Sequence, residues 1–306
     1  MKPKVVVLGE KPQGATWLSL LIKSGQFDII AGVERNVSSY WWDGECFGDI
    51  LRGSGIPVVD RSELYHLNYD IIWSLMYGFI IEPALILKAR YGLNLHESPL
   101  PRYRGCNGYS HAILEKSSDY GTSFQLLDPE LDKGNLIDQE LFAIHPDETA
   151  KDLYYRTTLI SNMVFKRNIN LVAQFQISTT PMNVEGEPIR ERNSLDRERR
   201  LPSEELDDFP TLYRRVRALD FSPFQPCFFE YEGNIFYLFI NNATGRFDHR
   251  HALNSYQHSE SILKLCKGNS AYILSNKRRD IVVMESQVYA NYYPLFIPKR
   301  KAKECF

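Results

Sequence analysis

Short apolar segments alternate with segments of helical periodicity over the first third of the chain, and this alternation constrains the fold more than any other feature. The apolar segments predict strands at residues 5–9, 27–33, 56–60, 69–76 and 91–96. Residues 16–23 and 83–90, which lie between them, have the spacing of helices. Strands that alternate with helices form parallel β-α-β units. We therefore predict an α/β protein with a Rossmann-like, mostly parallel sheet, and ligands beyond the carboxyl ends of its strands.

The pattern changes near residue 180. Before that point it predicts a helix at 108–116, strands at 121–128 and 135–144, and a long helix at 147–174 that starts at Asp147 or Thr149. Residues 181–205 are charged and contain proline and glycine, which is typical of a linker. A helix at 212–219 and short apolar runs at 227–240, 270–275 and 280–286 follow. We predict an α/β domain at 1–180, a linker at 181–205, and a smaller C-terminal β-rich, barrel-like domain at 206–306.

Charge, hydropathy and cysteine content argue against several classes of protein. The chain has 36 basic and 38 acidic residues, whereas proteins that neutralise phosphates are usually basic, so nucleic acid is not an expected partner. The longest apolar stretch is interrupted by Glu82 and Pro83 and is shorter than the roughly 20 residues of a membrane span. The five cysteines are scattered without CxxC spacing, which argues against a disulfide framework and a metal site. The start of the sequence lacks the apolar segment of a signal peptide, and we expect a cytoplasmic protein.

The stretch LNLHESPLPRYRG, residues 93–105, places polar side chains at a strand end and follows them with a proline-containing loop. Asn94 and His96 are two residues apart on the predicted strand, so their side chains lie on one face. His96 can take up a proton near neutral pH, and Asn94 can donate to an oxygen that gains negative charge. Asp132, on a later turn, can orient the imidazole or relay a proton. The trio contains no obvious nucleophile and suits a direct transfer between two bound molecules.

This stretch, followed 38 residues after Asn94 by Asp132 in LDKGNLID, resembles the folate-dependent formyltransferases. That family carries an Asn-x-His pair, a proline loop that ends in Arg-Gly, and an Asp at this distance. The resemblance covers most of residues 1–175 and extends more weakly to about residue 240. It implies a formyltransferase fold, catalysis by Asn94, His96 and Asp132, N10-formyltetrahydrofolate as the formyl donor, tetrahydrofolate as a product, and no metal. Whether His96 is a base for the attacking amine or a stabiliser of the oxyanion stays open at this point.

The resemblance also assigns binding residues. A strand end with Tyr77, Gly78 and Ile80, and a turn with Leu127, Asp128 and Leu131, correspond to the segments that contact folate in the family. The proline loop and the start of the next helix face the acceptor, which makes Arg102, Tyr103, Arg104, Gly105, Asn107 and Tyr109 the candidate substrate-binding residues. For the two arginines, a structural ion pair is an equal alternative. The sequence departs from the family at Glu97, where a small residue is common, and at residues 106–108, where the tRNA enzymes have Ala/Ala-Pro.

The acceptor is inferred from charge and domain content. Residues 1–200 contain 22 basic and 26 acidic side chains and residues 201–306 contain 14 and 12, whereas an enzyme that binds tRNA is expected to have a basic face. The glycinamide ribonucleotide enzymes have a single domain, which would leave the C-terminal part unexplained. We therefore expect a small-molecule acceptor, the 3- or 4-amino group of a nucleotide-linked deoxysugar, for cell-surface polysaccharides such as lipopolysaccharide O-antigen. Methionyl-tRNA formylation and a non-catalytic folate- or nucleotide-binding role remain alternatives, and a homodimer is left open.

Overall fold

The computed structural model describes residues 1–35, 44–202, 205, 208–221, 224, 226–231, 233–240, 252–253, 271–276 and 279–285. A six-stranded sheet lies at the centre of its N-terminal part, with the strand order β2-β1-β3-β4-β5-β6. β1 to β4 are parallel, and β5 and β6 pair antiparallel at one edge. The prediction of a mostly parallel α/β sheet is therefore confirmed. The strands are β1 Lys4–Gly9, β2 Asp28–Glu34, β3 Ile71–Leu75, β4 Tyr91–His96, β5 Asp119–Leu126 and β6 Leu136–Ala143.

Helices connect and cover the strands of this sheet. The longest, α5, begins at a capping box in which Thr149 and Asp152 satisfy each other's backbone N–H groups. The sequence predicted a start at Asp147 or Thr149, and Thr149 is the N-cap. The helices are α1 Lys11–Ser24, α2 Phe47–Gly53, a 3-10 helix Arg61–His66, α3 Pro83–Lys88, α4 Gly108–Leu114, α5 Ala150–Ala173 and α6 Phe209–Leu219.

The strand predicted at residues 56–60 is wrong. This segment makes a single bridge to the sheet, between Val58 and Gly32 of β2. The N–H of Gly32 donates to the carbonyl of Pro57, and the N–H of Val59 donates to the carbonyl of Gly32. Pro57 itself has no N–H to continue a ladder, so the apolar run passes the sheet edge without joining it.

Aromatic rings form the core on one side of the sheet. Trp73 of β3 packs against Phe165 of α5 and Phe124 of β5, with ring centroids 5.1 and 5.9 Å apart. Trp17 of α1 stacks on Phe165 at 5.3 Å. All four side chains are fully buried, and burial of a large apolar side chain contributes roughly 1.5–3 kcal/mol. This packing fixes the relative positions of β3, β5 and α5. It therefore also fixes the position of the carboxyl ends of β3 and of its neighbour β4.

The C-terminal part contains a second sheet of five strands in the order β7-β8-β11-β10-β9. β9 and β10 are parallel, and the other pairs are antiparallel. Much of the predicted domain at 206–306 lies outside the described residues, so the closure of a barrel stays a prediction. The strands are β7 Cys227–Tyr231, β8 Asn234–Ile240, β9 Ala252–Leu253, β10 Ala271–Asn276 and β11 Arg279–Glu285.

Helix α6 connects the two sheets. Leu212 and Val216 of α6 are fully buried in a cluster that includes Ile113 of α4, Leu153 of α5 and Phe236 of β8. A cluster shared by elements from both parts means that the C-terminal sheet packs on the first domain through a continuous apolar core.

Residues 187–194, inside the predicted linker, lie against the loop that follows β4; we call them the strap. The N–H of Arg190 donates to the carbonyl of Arg104 at 2.9 Å, and the N–H of Cys106 donates to the carbonyl of Arg190 at 2.8 Å. Asn107 donates its side-chain amide to the carbonyl of Arg192 at 3.0 Å. The strap therefore restrains the backbone of the loop at residues 104–107.

Candidate functional site

The candidate site lies at the carboxyl end of β4. β1 lies between β2 and β3, so the connections leave the sheet in opposite directions on either side of β1, and ligands bind near such switch points in α/β folds. β4 is two strands from β1 and carries Asn94 and His96 at its end. Both side chains are half-buried, in contrast to Leu93 and Leu95, which alternate with them along the strand and are fully buried. The alternation confirms that Asn94 and His96 share the open face.

Asp132 completes the predicted trio. Nδ1 of His96 lies 3.7 Å from Oδ1 of Asp132, and the carboxylate is only 6 % exposed. Nε2 of His96 lies 3.3 Å from the carbonyl oxygen of Tyr103. Each ring nitrogen therefore faces an acceptor oxygen, an arrangement in which the imidazole can hold a proton on either side.

The Asp132 carboxylate is held by the loop after β4. Its Oδ2 accepts from the backbone N–H of Gly105 at 2.9 Å. Asp132 has a φ of 49°, in the left-handed region that Asp tolerates better than most residues. The buried guanidinium of Arg104 donates from Nε and Nη2 to the carbonyl of Leu131, at 3.2 and 2.6 Å. The loop after β4 and the turn at residues 131–132 are thus joined by hydrogen bonds to both Leu131 and Asp132.

The Asn94 carboxamide makes no hydrogen bond to any described residue. It is half-buried on the same strand face as His96, with Ser74 of β3 and Gln125 of β5 as its neighbours in register. A polar group that is partly shielded from water and has no protein partner is available to a ligand. Asn94 can therefore donate to an oxygen of a bound molecule, as the sequence predicted.

The proline segment of the loop is fixed by serines and a glutamine. Ser123 of β5 accepts from the N–H of Leu100 at 2.9 Å and donates to the carbonyl of Ser98 at 2.7 Å. Gln139 of β6 donates to the carbonyl of Leu100 at 2.7 Å. The loop that carries the candidate substrate-binding residues is thus held against the sheet by hydrogen bonds.

Most of the predicted substrate-binding side chains make contacts within the protein. Arg102 forms an ion pair with Asp119 and donates to Ser117, so the structural alternative for this arginine is present. Tyr103 is buried, and its ring packs on Tyr120 with centroids 5.8 Å apart. These contacts fix the loop, and direct contact with a substrate stays a prediction for these residues.

Tyr109 and Asn107 are also engaged. The Tyr109 hydroxyl donates to Oε2 of Glu97 at 2.7 Å, and the Asn107 amide donates to the strap. Gly105, with a φ of 86°, presents its N–H to Asp132 and places the position of its absent Cβ 2.4 Å from the carbonyl oxygen of Arg190. Only glycine fits this approach between the loop and the strap.

Glu97 is a buried carboxyl group next to His96. Besides the bond from Tyr109, its backbone carbonyl accepts from the hydroxyl of Tyr120 at 2.9 Å, and Thr158 of α5 lies 3.4 Å from Oε1. Burial raises the pKa of Glu97. Glu97 is thus the point at which the end of β4 is bonded to α4, α5 and β5. The sequence singled it out as a departure from the family but did not predict these partners.

The predicted folate-binding residues include apolar side chains that are exposed or half-buried. Ile80 and Leu131 are exposed, and Tyr77 and Leu127 pack as half-buried side chains against the same apolar cluster under β3. Asp128 accepts from the N–H of Glu130 at 2.9 Å and thereby shapes the turn. Exposed apolar side chains beyond the carboxyl ends of the strands are suited to contact with a flat organic ring.

The sequence did not indicate two further residues near the site, Phe79 and Gln125. Phe79 is 53 % exposed and packs edge-on against Tyr77, with Arg35 of β2's end over its ring. Gln125 donates Nε2 to Oδ1 of Asp132 at 3.1 Å. Phe79 lies inside the run YGFII and could have been found from its neighbours, whereas nothing local in the sequence of β5 distinguishes Gln125.

Across the described ranges, no group of three or more His, Cys, Asp or Glu side chains is arranged to hold a metal ion. None of the helices in the described part of the chain combines the length and hydrophobicity needed to span a bilayer.

Part of the chain that contains this site is similar to a known enzyme family. Residues 60–169, which include Asn94, His96 and Asp132, match the formyl transferase family model. The chain is therefore similar to this family over those residues. It is also 32 % identical over 192 residues to the methionyl-tRNA formyltransferase of Methylobacterium sp. (strain 4-46), a match that covers 60 % of this chain and 59 % of that protein. The chain spans about half the length of the curated relatives it matches.

Solved structures share the fold of these residues and of much of the rest of the chain. The N-formyltransferase of Helicobacter canadensis, in complex with folinic acid and dTDP-3-aminofucose, has a TM-score of 0.66 at 20 % identity and covers 92 % of this chain and 99 % of its own. The methionyl-tRNA formyltransferase of Clostridium thermocellum has a TM-score of 0.56 at 13 % identity and covers 79 % of this chain and 95 % of its own. The fold of the chain is that of the formyltransferases.

Proposed function

We propose that the chain transfers a formyl group from N10-formyltetrahydrofolate to the amino group of a nucleotide-linked 3- or 4-amino deoxysugar. The observation that carries the proposal is the placement of three groups in a region similar to the formyl transferase family. They are the Asn94 carboxamide, which has no hydrogen-bond partner among the described residues, the His96 imidazole, and the Asp132 carboxylate 3.7 Å from that imidazole. A carboxamide donor, a proton acceptor and an orienting carboxylate are the groups that acyl transfer to an amine requires.

The described residues fit a reduced folate. Phe79, Ile80 and Leu131 are large apolar side chains that remain exposed, and Tyr77 adds a half-buried aromatic ring. Phe79 and Ile80 follow the carboxyl end of β3, the strand that pairs with β4, and Leu131 precedes Asp132 in the chain. The formyl donor would supply the one-carbon unit. In this proposal the reduced folate contacts these side chains, and the turn that carries Asp132 contacts its pterin ring.

The residues of the trio have complementary roles in the transfer. A bond forms between the acceptor nitrogen and the formyl carbon, the bond from that carbon to N10 breaks, and the proton lost by the amine ends on N10. Asn94 donates to the formyl oxygen as it gains negative charge. His96 accepts the amine proton, and Asp132 keeps the ring oriented for that step and for the return of the proton to the leaving nitrogen.

Two observations support a sugar nucleotide as the acceptor. Residues 1–200 carry 22 basic and 26 acidic side chains, a net charge of −4 that does not attract a tRNA. The Helicobacter canadensis enzyme, whose complex contains dTDP-3-aminofucose, aligns over 92 % of this chain, against 79 % for the Clostridium thermocellum methionyl-tRNA enzyme. The sequence similarity to methionyl-tRNA formyltransferases makes formylation of methionyl-tRNA the second candidate.

An acceptor panel tests the proposal. The protein is mixed with N10-formyltetrahydrofolate and, in separate reactions, with dTDP- and UDP-linked 3- and 4-amino sugars or with methionyl-tRNA, and both tetrahydrofolate release and the formylated product are measured. We expect turnover with at least one amino sugar. Turnover with methionyl-tRNA alone would replace the sugar proposal, and no turnover with any acceptor would favour a binding role.

A pair of histidine variants provides the site-specific control. His96→Asn removes the proton acceptor and should lower the rate by about 10²- to 10⁴-fold, the usual contribution of general acid–base catalysis. His66→Asn changes an exposed histidine of the 3-10 helix and should leave the rate unchanged. Equal rates for His96→Asn and the wild type would refute the assigned role.

A further inference from the structure

Gln125 lies opposite the trio on β5. In the antiparallel pair of β4 and β5, Gln125 is the register partner of Asn94, so both side chains project from the same face of the sheet. Asn94 is half-buried at the open end of this face, whereas Gln125 is 1 % exposed. A glutamine at a fully buried strand position is unusual, because amide groups are costly to remove from water unless both of their polar atoms are bonded.

Among the described residues, the amide nitrogen of Gln125 has one partner, the Asp132 carboxylate. Nε2 donates to Oδ1 of Asp132 at 3.1 Å, and Oδ1 is the oxygen that faces Nδ1 of His96. The other oxygen, Oδ2, accepts from the N–H of Gly105. Since an ionised carboxylate only accepts hydrogen bonds, the amide must present its nitrogen to Asp132.

The contact between His96 and Asp132 does not by itself hold the carboxylate. At 3.7 Å it is longer than a hydrogen bond, and the carboxyl torsion of an aspartate is soft. With Gly105 bonded to Oδ2 alone, the carboxylate plane could rotate and carry Oδ1 away from the imidazole. The bond from Gln125 to Oδ1 removes this freedom.

The remaining polar atom of Gln125 is unsatisfied. Oε1 is buried and has no hydrogen-bond partner among the described residues. A buried acceptor without a partner destabilises the folded state. An apolar side chain of the same length would remove this cost and would lose the hydrogen bond to Asp132, two effects of opposite sign. Gln125 therefore accepts a stability cost at its oxygen where its nitrogen holds a functional group.

We propose that Gln125 is a positioning residue of the formyl-transfer site, which keeps Oδ1 of Asp132 directed at His96. This inference rests on the proposed function and adds a residue to it. Gln125 does not touch the reacting atoms in this role, so its removal should affect turnover far more than the binding of folate.

The test compares Gln125→Met with the wild-type chain. Methionine keeps the length of the side chain and removes both polar atoms. We expect kcat to fall by about 10- to 100-fold, as is typical when a catalytic group loses its orientation, with the KM for N10-formyltetrahydrofolate changed less than about threefold and the melting temperature unchanged or raised. A purely structural glutamine would show the opposite pattern, a lower melting temperature and an unchanged kcat.

A second variant and a double variant sharpen the result. Gln125→Glu is nearly isosteric and places a carboxyl group against Asp132, and kcat should fall even if Gln125→Met fails to fold. In an Asp132→Asn background, Gln125→Met should lower kcat by less than about twofold further, because residues that act through one group are not additive. Multiplicative effects would overturn the proposal.

Gln13→Met is the matched control. Gln13 is also buried and donates Nε2 to a side-chain oxygen, Oδ1 of Asn162 at 2.7 Å, in the contact between α1 and α5. Its replacement should leave kcat unchanged. Absence of turnover in the wild type with every acceptor would overturn the proposed function and this inference with it, whereas wild-type turnover with an unchanged kcat in Gln125→Met would overturn the inference alone.

Discussion

Acidification should destabilise the protein through His111. This residue of α4 is buried, with Nε2 2.9 Å from the hydroxyl oxygen of Ser194 in the strap and Nδ1 4.0 Å from Oε1 of Glu115. Burial, with a smaller contribution from the positive charge of Arg190, lowers the pKa of His111 from 6.5 to about 4. The neutral ring is therefore the form that the folded protein accommodates.

The sign and size of the effect follow from this pKa. Because the pKa in the folded state is below the ordinary value, the unfolded chain takes up the proton first, and the stabilisation is complete above pH 6.5 and is lost as the pH falls toward 4. The full difference corresponds to about 3 kcal/mol, and about 2 kcal/mol of it is lost by pH 5. For a chain of this size, 2 kcal/mol is a decrease in melting temperature of about 4–8 °C.

The measurement is urea unfolding at pH 8 and pH 5 for the wild type, His111→Gln and His66→Gln. His66 is an exposed histidine, so its variant controls for the loss of a titrating group at the surface. The wild type and His66→Gln should lose about 2 kcal/mol more than His111→Gln between the two pH values. Equal losses in all three proteins would refute the assignment of the neutral, buried ring.

Three further perturbations have defined outcomes. Burial raises the pKa of Glu97, so the folded protein favours the neutral carboxyl group and loses stability as the pH rises and that group ionises. The unfolding free energy of Glu97→Gln should therefore increase relative to that of the wild type from pH 5 to pH 8. A difference in urea unfolding that stays constant over this range would contradict this. Gly105→Ala should cost more stability than the control Gly186→Ala, since both have positive φ but only Gly105 would bring a Cβ within 2.4 Å of a carbonyl oxygen; equal melting temperatures would contradict the close approach. Phe165→Ala should destabilise the fold by about 3–5 kcal/mol in urea unfolding, and a cost below about 1 kcal/mol would show that the aromatic cluster is not tightly packed.

The elements that depend on local pattern could be predicted from the sequence. The strands at β1 to β4 and the long helix α5 follow from apolar spacing and from the capping residue Thr149. The error at residues 56–60 arose because apolar composition favours a strand, whereas hydrogen-bonded pairing also needs the N–H that Pro57 lacks.

The candidate site was only partly predictable. Asn94 and His96 share a face because residues two apart on any strand do so, and Asp132 was proposed from the chemistry of its carboxylate and from the family resemblance. Tyr103 and Tyr109 are residues of the type that stacks on ligands, but Tyr103 is buried and Tyr109 is half-buried with its hydroxyl bonded to Glu97. Composition alone does not distinguish a ring that faces a ligand from one that packs against a neighbouring element.

The sequence by itself determined which segments form strands and helices and which side chains end β4, because those properties depend on residues a few positions apart. The tertiary structure alone decided that Asp132 lies 3.7 Å from His96, that Gln125 and Gly105 hold its two oxygens, and that the strap restrains the loop. These contacts join residues that are distant in the chain. They exist only once the sheet order and the packing of the core have brought the two turns and β5 together.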